Sequence, residues 1–280
     1  MKQPRYDVAI VGAGFAGLYL LHRCRQLGLS ARIWEAGNGV GGTWYWNRYP
    51  GARCDIESVQ YSYQFDKDLQ QQWTWSERYA SQAEILRYAQ HVAERFALID
   101  GIDFNHRVTT ASYDDSACYW TITSTAQQSL TARFCIMATG SLSAPNWPAI
   151  EGLDNFSGAI YHTATWPHTN VSFRNKNVAV IGTGSSGIQS IPVIAEQAQQ
   201  VTVFQRTPNY SVPARNKPLD QKTLAAVKAN YDYIRAEARK RFPCVYGDYR
   251  TESALAASDA ECQAEFEKRW QYGGLTFLGA

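Results

Sequence analysis

No two of the six cysteines in this 280-residue chain form a C-x-x-C pair. Cys24, Cys54, Cys118, Cys135, Cys244 and Cys262 are scattered, which excludes a local dithiol motif and reads as six reduced thiols in a reducing compartment. An excess of one charge is also missing. Lys and Arg number 27 against 25 Asp and Glu, a net charge of +2 with no basic or acidic block, which argues against nucleic acid as the main partner. The basic stretch RAEARKRF at 235–242 reads as the solvated face of a helix. No apolar run approaches the ~18 residues that cross a membrane. The N-terminal stretch runs straight into a strand pattern without a secretory apolar core. These absences point to a cytoplasmic protein with no membrane and no nucleic-acid partner. What the chain does have is 45% hydrophobic residues, enough to bury a sizeable core in one large domain or two modest ones.

Residues 6–37 read as strand, tight turn, helix, strand. Residues 6–11 are apolar and β-branched, as in a buried parallel strand. Residues 15–27 carry helical spacing through Leu18, Leu21 and Leu27, with Gly28 as the stop. Residues 81–97 form an amphipathic helix, with Ser81 and Glu84 as its capping box. Strands near 103–112, 118–124 and 131–137 then suggest a small antiparallel layer. Residues 176–208 repeat the strand–turn–helix–strand unit, and helices follow over about 217–241 and 258–271.

Each repeated unit carries G-x-G-x-x-G between its strand and its helix. In the first, Gly12 permits the turn, Gly14 lets a pyrophosphate approach the backbone, and Gly17 lets helix and strand pack closely. The helix N-terminus then stabilises the phosphate charge. Glu35 ends the second strand, where a carboxylate accepts from ribose hydroxyls, so this site suits FAD. The second loop holds Gly182, Gly184 and Gly187, but its second strand ends in Arg206 instead of an acid. A guanidinium there binds a 2′-phosphate bidentately and favours NADPH over NADH; the competing reading is an ordinary surface charge. Two such loops, at positions 12 and 182, mark an enzyme that passes hydride from nicotinamide to flavin.

Between the loops stands FSGAIYHTATWP, residues 156–167, which suits neither a helix core nor a strand. Phe156, Gly158, His162, Trp166 and Pro167 fit the pattern F-x-G-x-x-x-H-x-x-x-W-P. With GGTWYWNRYPGARCD at 41–55 and VFQRTPNY at 203–210, it makes the chain resemble the type I Baeyer–Villiger monooxygenases, FAD- and NADPH-dependent flavoproteins. The resemblance runs from Tyr6 onward.

It implies an α/β fold with two Rossmann-like dinucleotide-binding domains, both incomplete, and the start of a helical insertion. The FAD domain would occupy 1–141, the linker with the fingerprint 142–176, the NADP domain 177–213 and the insertion 214–280. It implies that Thr43, Trp44, Tyr45 and Trp46 lie along the flavin and that Tyr61 and Val108 touch FAD. Arg53 and Asp55 would stand at the flavin–nicotinamide junction. Thr183, Gly184, Ser185, Ser186, Gly187 and Gln189 would hold the NADPH (or NADP+) pyrophosphate, and Arg206 and Thr207 its 2′-phosphate. The reaction implied converts a ketone to an ester or lactone with NADPH and O2 through a C4a-peroxyflavin, whose negative charge needs a cation in a dry site. Asp55 would orient the arginine that supplies that cation; its other reading is a cap of the DIES turn. For His162, a general base and a metal ligand compete with a structural latch. No second His, Cys or carboxylate lies at ligand spacing, so no metal is expected. The latch would bond the linker to both domains and gate domain position with NADP binding.

Members of that family are roughly twice as long, and the catalytic arginine belongs to the part not represented here. Arg250, Lys268 and Arg269 precede its expected place. A second polypeptide supplying that half is the expectation, with a piece of a longer chain as the other possibility. An N- or S-oxygenating flavin monooxygenase and a silent FAD/NADPH-binding subunit are the alternative functions.

Overall fold

The structure, a computed structural model, describes residues 5–241, 244–250 and 252–279. The chain divides into two compact units: Met1–Tyr49 with Ile85–Ser172, and Pro50–Glu84 with Phe173–Ala280. This division assigns 50–84 to the same unit as 177–280.

The first unit is built on a six-stranded sheet. Its strands are β1 (Arg5–Val11), β2 (Ala31–Trp34), β3 (Ile102–Asp103), β4 (Val108–Asp114), β5 (Tyr119–Ser124) and β6 (Ser129–Met137), in the order β3-β2-β1-β6-β5-β4. β1 pairs in parallel with both β2 and β6. β4, β5 and β6 pair antiparallel, as the small layer expected, and β6 joins that layer to the main sheet. The strand expected near 103–112 is two strands, because Asn105 turns the chain at φ +59. The two-residue period of β1 gives each face its own core. Val8 and Ile10 pack with Leu18 and Leu21, and with Ala89 and Ala93. Ala9 packs on the other side with Trp34, Ile122, Leu130 and Ala132.

Helix α1 (Phe15–Gln26) buries Gly17, Leu18, Leu21 and Cys24, one stripe at helical spacing. It closes through Gly28 at φ +69, where the Leu29 N–H donates to the Cys24 carbonyl at 2.9 Å. A four-residue helical turn, α2 (Thr43–Trp46), and helix α3 (Lys67–Gln72) follow, then α4 (Gln82–Arg95). The expected capping box of α4 is only half made. The Glu84 N–H donates to Ser81 Oγ at 3.5 Å, but the Glu84 carboxylate accepts from the Ser76 N–H and hydroxyl at 2.8 and 2.7 Å. Ser76 offers that carboxylate two donors at once. The complete box is Ser258 with Glu261, at the start of a later helix over 259–272.

At the sheet edge, the Arg32 guanidinium forks onto Asp103, which also accepts from Trp34 Nε1 at 3.0 Å. The hydrogen bonds from Arg32 pull the Asp103 pKa down. Its contribution to stability is therefore complete above the ordinary carboxylate range and is lost as pH falls through the lowered value.

In the second unit, β7 (Asn177–Ile181) and β8 (Gln200–Phe204) form a parallel pair, with α5 (Ser185–Ala195) between them in sequence. Ile181 and Phe204 of this pair are exposed. The helix expected over 217–241 is two, α6 (Gln221–Ala229) and α7 (Tyr231–Arg239), broken at Asn230, whose side chain donates to the Ala226 carbonyl at 2.8 Å. Helix α8 (Asp259–Tyr272) closes the sequence of helices. The basic run at 235–242 is not a uniformly solvated face. Arg235 is buried and donates to the carbonyls of Val59 and Gln60 and to Ser62 Oγ at 2.6–2.9 Å. Phe242, the last residue of that run, lies outside the described residues. The Gln60 amide forms a reciprocal pair with the Tyr246 backbone at 2.7 and 2.9 Å. The segment around 57–62 is thus fastened by side chains and backbone far along the chain.

All six cysteines are free; Cys24 and Cys54 are buried, whereas Cys118 and Cys244 are exposed. Burial pushes the Cys54 thiol up to about 11 and raises Cys24 as well. The thiolate is the reactive form. Iodoacetamide at pH 8 is therefore expected to label Cys118 and Cys244 in the folded chain, and Cys24 and Cys54 only after denaturation. Peptide mass spectrometry reads the order, and early labelling of Cys54 would contradict it. Among the described residues no helix is long and apolar enough to cross a membrane.

Candidate functional site

In the first unit, β1 ends at the Gly12–Gly17 loop and α1 begins at Phe15. A Cβ on Gly17 would overlap the Gly12 carbonyl, so the helix packs directly on the loop. Gly42 stands at φ +54, and a Cβ on it would lie 2.8 Å from the Gly14 Cα. Two backbones therefore touch where side chains would keep them apart. Glu35, one residue past β2, is only 4% exposed. One carboxylate oxygen accepts from the Ala13 N–H at 2.7 Å and the other from the Gly37 N–H at 2.8 Å. A carboxylate has about four acceptor sites, so Glu35 holds the loop and keeps capacity for a ribose hydroxyl.

Gly42 opens the α2 turn, where Trp44 and Tyr45 are buried. The Tyr45 hydroxyl donates to Asn38 Oδ1, and its ring fills the space that side chains on Gly37 and Gly39 would need. Arg48 donates through Nε and Nη2 to the Tyr45 carbonyl at 3.0 and 2.7 Å. The His168 ring stands edge-to-face on Tyr45, with centroids 4.9 Å apart, and 6.1 Å from Trp46. Partial burial, and then the Arg48 charge, hold the His168 pKa below the ordinary imidazole value. Sequence reasoning did not single out His168. Its only signal is its place directly after Trp166 and Pro167.

The fingerprint segment is compact. The Phe156 ring covers Gly158, where a Cβ would lie 2.6 Å from it. His162 Nδ1 accepts from the Ala164 N–H at 3.1 Å, capping the short turn Thr163–Thr165, and its ring lies 4.8 Å from Trp147. Trp166 is buried, with its ring 5.3 Å from Tyr161. The hydrogen bond of His162 is local, within its own turn.

In the second unit, a Cβ on Gly187 would overlap the Gly182 carbonyl, repeating the contact of the first loop, whereas at Gly182 and Gly184 it would meet nothing within 4 Å. That open space lies before the N-terminus of α5, where Ser185 and Ser186 begin the helix. The Thr183 hydroxyl accepts from Gln205 at 2.7 Å and its carbonyl from Asn209 at 3.1 Å. Arg206 and Thr207 follow β8 and are exposed. Gln189, on α5, grips the Arg53–Asp55 turn. Its Oε1 accepts from the Arg53 N–H at 3.3 Å, and its Nε2 donates to the Arg53 carbonyl at 3.2 Å and to Asp55 Oδ1 at 3.3 Å. A side chain on Gly51 would overlap the Gln189 carbonyl. The Arg53 guanidinium donates to the Tyr79 carbonyl at 2.9 Å and to Glu77 at 3.2 Å. Asp55 is open to solvent on one side, yet the protein crowded around its carboxyl raises its pKa. Tyr61 belongs to this unit, and Val108 opens β4 of the other. Among the described residues no group of three or more His, Cys, Asp or Glu is placed to hold a metal.

Two strand–glycine turn–helix units, one ending on an acid and one on an arginine, define the class of a two-dinucleotide α/β protein. The chain belongs to the pyridine nucleotide-disulphide oxidoreductase family, whose model matches residues 9–253. It is 41% identical to a Baeyer–Villiger monooxygenase of Pseudooceanicola batsensis, covering 96% of this chain and 49% of that protein. It is 40% identical to the phenazine N-monooxygenase PhzNO1 of Lysobacter antibioticus, covering 99% and 51%. A solved oxidized steroid monooxygenase bound to NADP superposes with a TM-score of 0.95 at 53% identity, covering 99% of this chain and 53% of that one. The resemblance to Baeyer–Villiger monooxygenases therefore holds in sequence and fold. The chain spans about half the length of the curated relatives it matches.

Proposed function

We propose that this chain is the FAD- and NADPH-binding half of a flavin monooxygenase that converts a ketone to an ester or lactone with NADPH and O2. The observation that carries the reading is the Gln189 clasp. It ties the Arg53–Asp55 turn to the helix of the second nucleotide loop, a link that simple nucleotide binding does not require. When bound, the flavin supplies the hydride acceptance and oxygen activation.

The residues of the chain bind and orient. The close Gly14–Gly42 approach and the α1 N-terminus fit a pyrophosphate, and Glu35 fits a ribose. The open face at Gly182 and Gly184 before α5 fits the second pyrophosphate, with Arg206 and Thr207 for a 2′-phosphate. Asp55, held by Gln189, orients an arginine contributed by the remaining half, and that positive partner draws its raised pKa back down. The fingerprint serves to gate the NADP-bound state, and the protein works in the cytoplasm.

Co-expression with the half of a relative that this chain lacks tests the reading. FAD retained at 450 nm, NADPH-dependent O2 uptake and lactone from cyclohexanone are expected. A complex that retains no flavin would end the proposal. A thioether and a phenazine belong in the same assay, because one relative is a phenazine N-monooxygenase; N- or S-oxide without lactone would favour the second reading. The coenzyme preference has its own test. Arg206→Ala is expected to weaken NADP+ binding by calorimetry about 10- to 100-fold, the loss of a charge-assisted contact, and to leave NAD+ binding unchanged. Equal loss for both coenzymes would remove the 2′-phosphate role.

A further inference from the structure

Phe156 covers Gly158, His162 caps its own turn and leans on Trp147, and Trp166 packs on Tyr161. The fingerprint's histidine therefore makes no hydrogen bond to the α2 turn that its resemblance places along the flavin. The next histidine reaches that turn. His168 sits 4.9 Å edge-to-face from Tyr45 and 6.1 Å from Trp46. Tyr45 and Trp46 are themselves edge-to-face at 4.9 Å, so the three rings form one cluster. Tyr45 is fixed on its remaining sides by Asn38, by Gly37 and Gly39, and by Arg48, whose guanidinium lies 5.4 Å from the ring centre.

We propose that His168 is the positioning residue through which the fingerprint segment holds the Thr43–Trp46 turn, and through that turn the flavin. The flavin clause rests on the proposed function; the turn clause does not. A neutral imidazole packs against Tyr45 without repelling Arg48. Protonation places a second cation beside the Arg48 guanidinium, the charged group facing it, with the Tyr45 phenol as the titratable neighbour. Acid therefore loosens the turn, in keeping with the direction in which burial and Arg48 move the imidazole.

Hydrogen exchange of the full chain without flavin tests the first clause, read at the Trp46 and Asn47 amides, which donate to Gly42 and Thr43. The loss of one edge-to-face contact is expected to speed exchange there by up to about tenfold in His168→Ala. His168→Phe, which keeps a ring, is expected to restore protection. His162→Ala leaves these amides as in the native chain. Protection corrected for intrinsic exchange falls on acidification in the native chain and stays level in His168→Phe. Native-like protection in His168→Ala, equal loosening by His162→Ala, or a native chain with no acid response would each overturn the proposal.

For the second clause, FAD is titrated into the same variants. His168→Ala is expected to bind FAD several-fold more weakly and to leave flavin fluorescence less quenched, because Tyr45 and Trp46 no longer hold their places. A loosened turn with unchanged FAD affinity and fluorescence removes the flavin clause. A native chain that takes up no FAD alone moves this titration to its complex with the co-expressed half, where a complex without flavin refutes the proposed function, while the exchange data still decide the role of His168 in the turn.

Discussion

Arg78→Met is expected to lower the stability of the full chain by about 3 kcal/mol, the low end for breaking a largely buried ion pair. Arg78 is 7% exposed and binds Glu57 at 2.8 Å. Its guanidinium also donates through Nη1 to the Tyr272 carbonyl at 2.6 Å and through Nη2 to the Gly273 carbonyl at 3.3 Å, and the group lies 4.2 Å above the Tyr272 ring. Those carbonyls end α8, where helical acceptors have no partner of their own and the helix dipole is negative. Methionine fills much of the volume but removes a donor from two carbonyls and a carboxylate, leaving the Gly273 carbonyl its Thr276 hydroxyl at 3.4 Å and Glu57 its Tyr272 hydroxyl at 3.3 Å. Glu57 keeps some contact with solvent, which places the cost at the low end of the range. Urea unfolding reads it as a lowered midpoint. The double variant with Glu57→Met is expected to lose much less than the two single losses added together, because the stranded carboxylate goes too. Additive losses would show that the ion pair is not the main contact.

Glu35→Gln is expected to cost about 2–3 kcal/mol, one hydrogen bond to a charged group exchanged for a clash of donors. Both carboxylate oxygens accept from backbone N–H groups, those of Ala13 and Gly37. An amide has one oxygen, so its NH2 must face one of these donors. Glu35→Asp keeps the charge but is one methylene short of holding both. Thermal unfolding of the chain measures the loss, and weaker FAD retention should accompany it. A Gln variant as stable as the native chain would mean that the loop does not depend on this carboxylate.

The parts of the molecule visible in the sequence are those whose physics is local. Gly12, Gly14 and Gly17 lie within one turn of each other, and the strand before and helix after them carry their own periodicity. Glu35 and Arg206 end the strands that follow. The six-stranded sheet was only partly legible, because β6 looks like the last strand of a meander and nothing in its own residues reveals its parallel pairing with β1. Gln189 was legible as part of a nucleotide loop but not as the clasp on Asp55, a contact across 134 positions. Arg235 looked solvated because its neighbours are charged. Three acceptors from 59–62, supplied by a distant segment, are what make its burial tolerable. His168 was passed over because the pattern beside it ends at Pro167, whereas its partners lie at 45 and 46.

The division of the chain has a consequence for synthesis. A ribosome emits residues 1–49 of one unit, then 50–84 of the other, then returns to the first for 85–172. The first unit cannot close its sheet until β6 has emerged, and residues 50–84 must wait until well after residue 172 for the helices that hold them. During that wait their apolar side chains, Trp75 and Tyr79 among them, have no finished surface to enter. Long waits between segments that must meet slow folding and expose apolar surface to misassembly. No single cut in the chain separates one unit from the other, so proteolytic nicking near 49, near 85 or near 172 is expected to leave pieces that stay associated in native solution and separate only on unfolding.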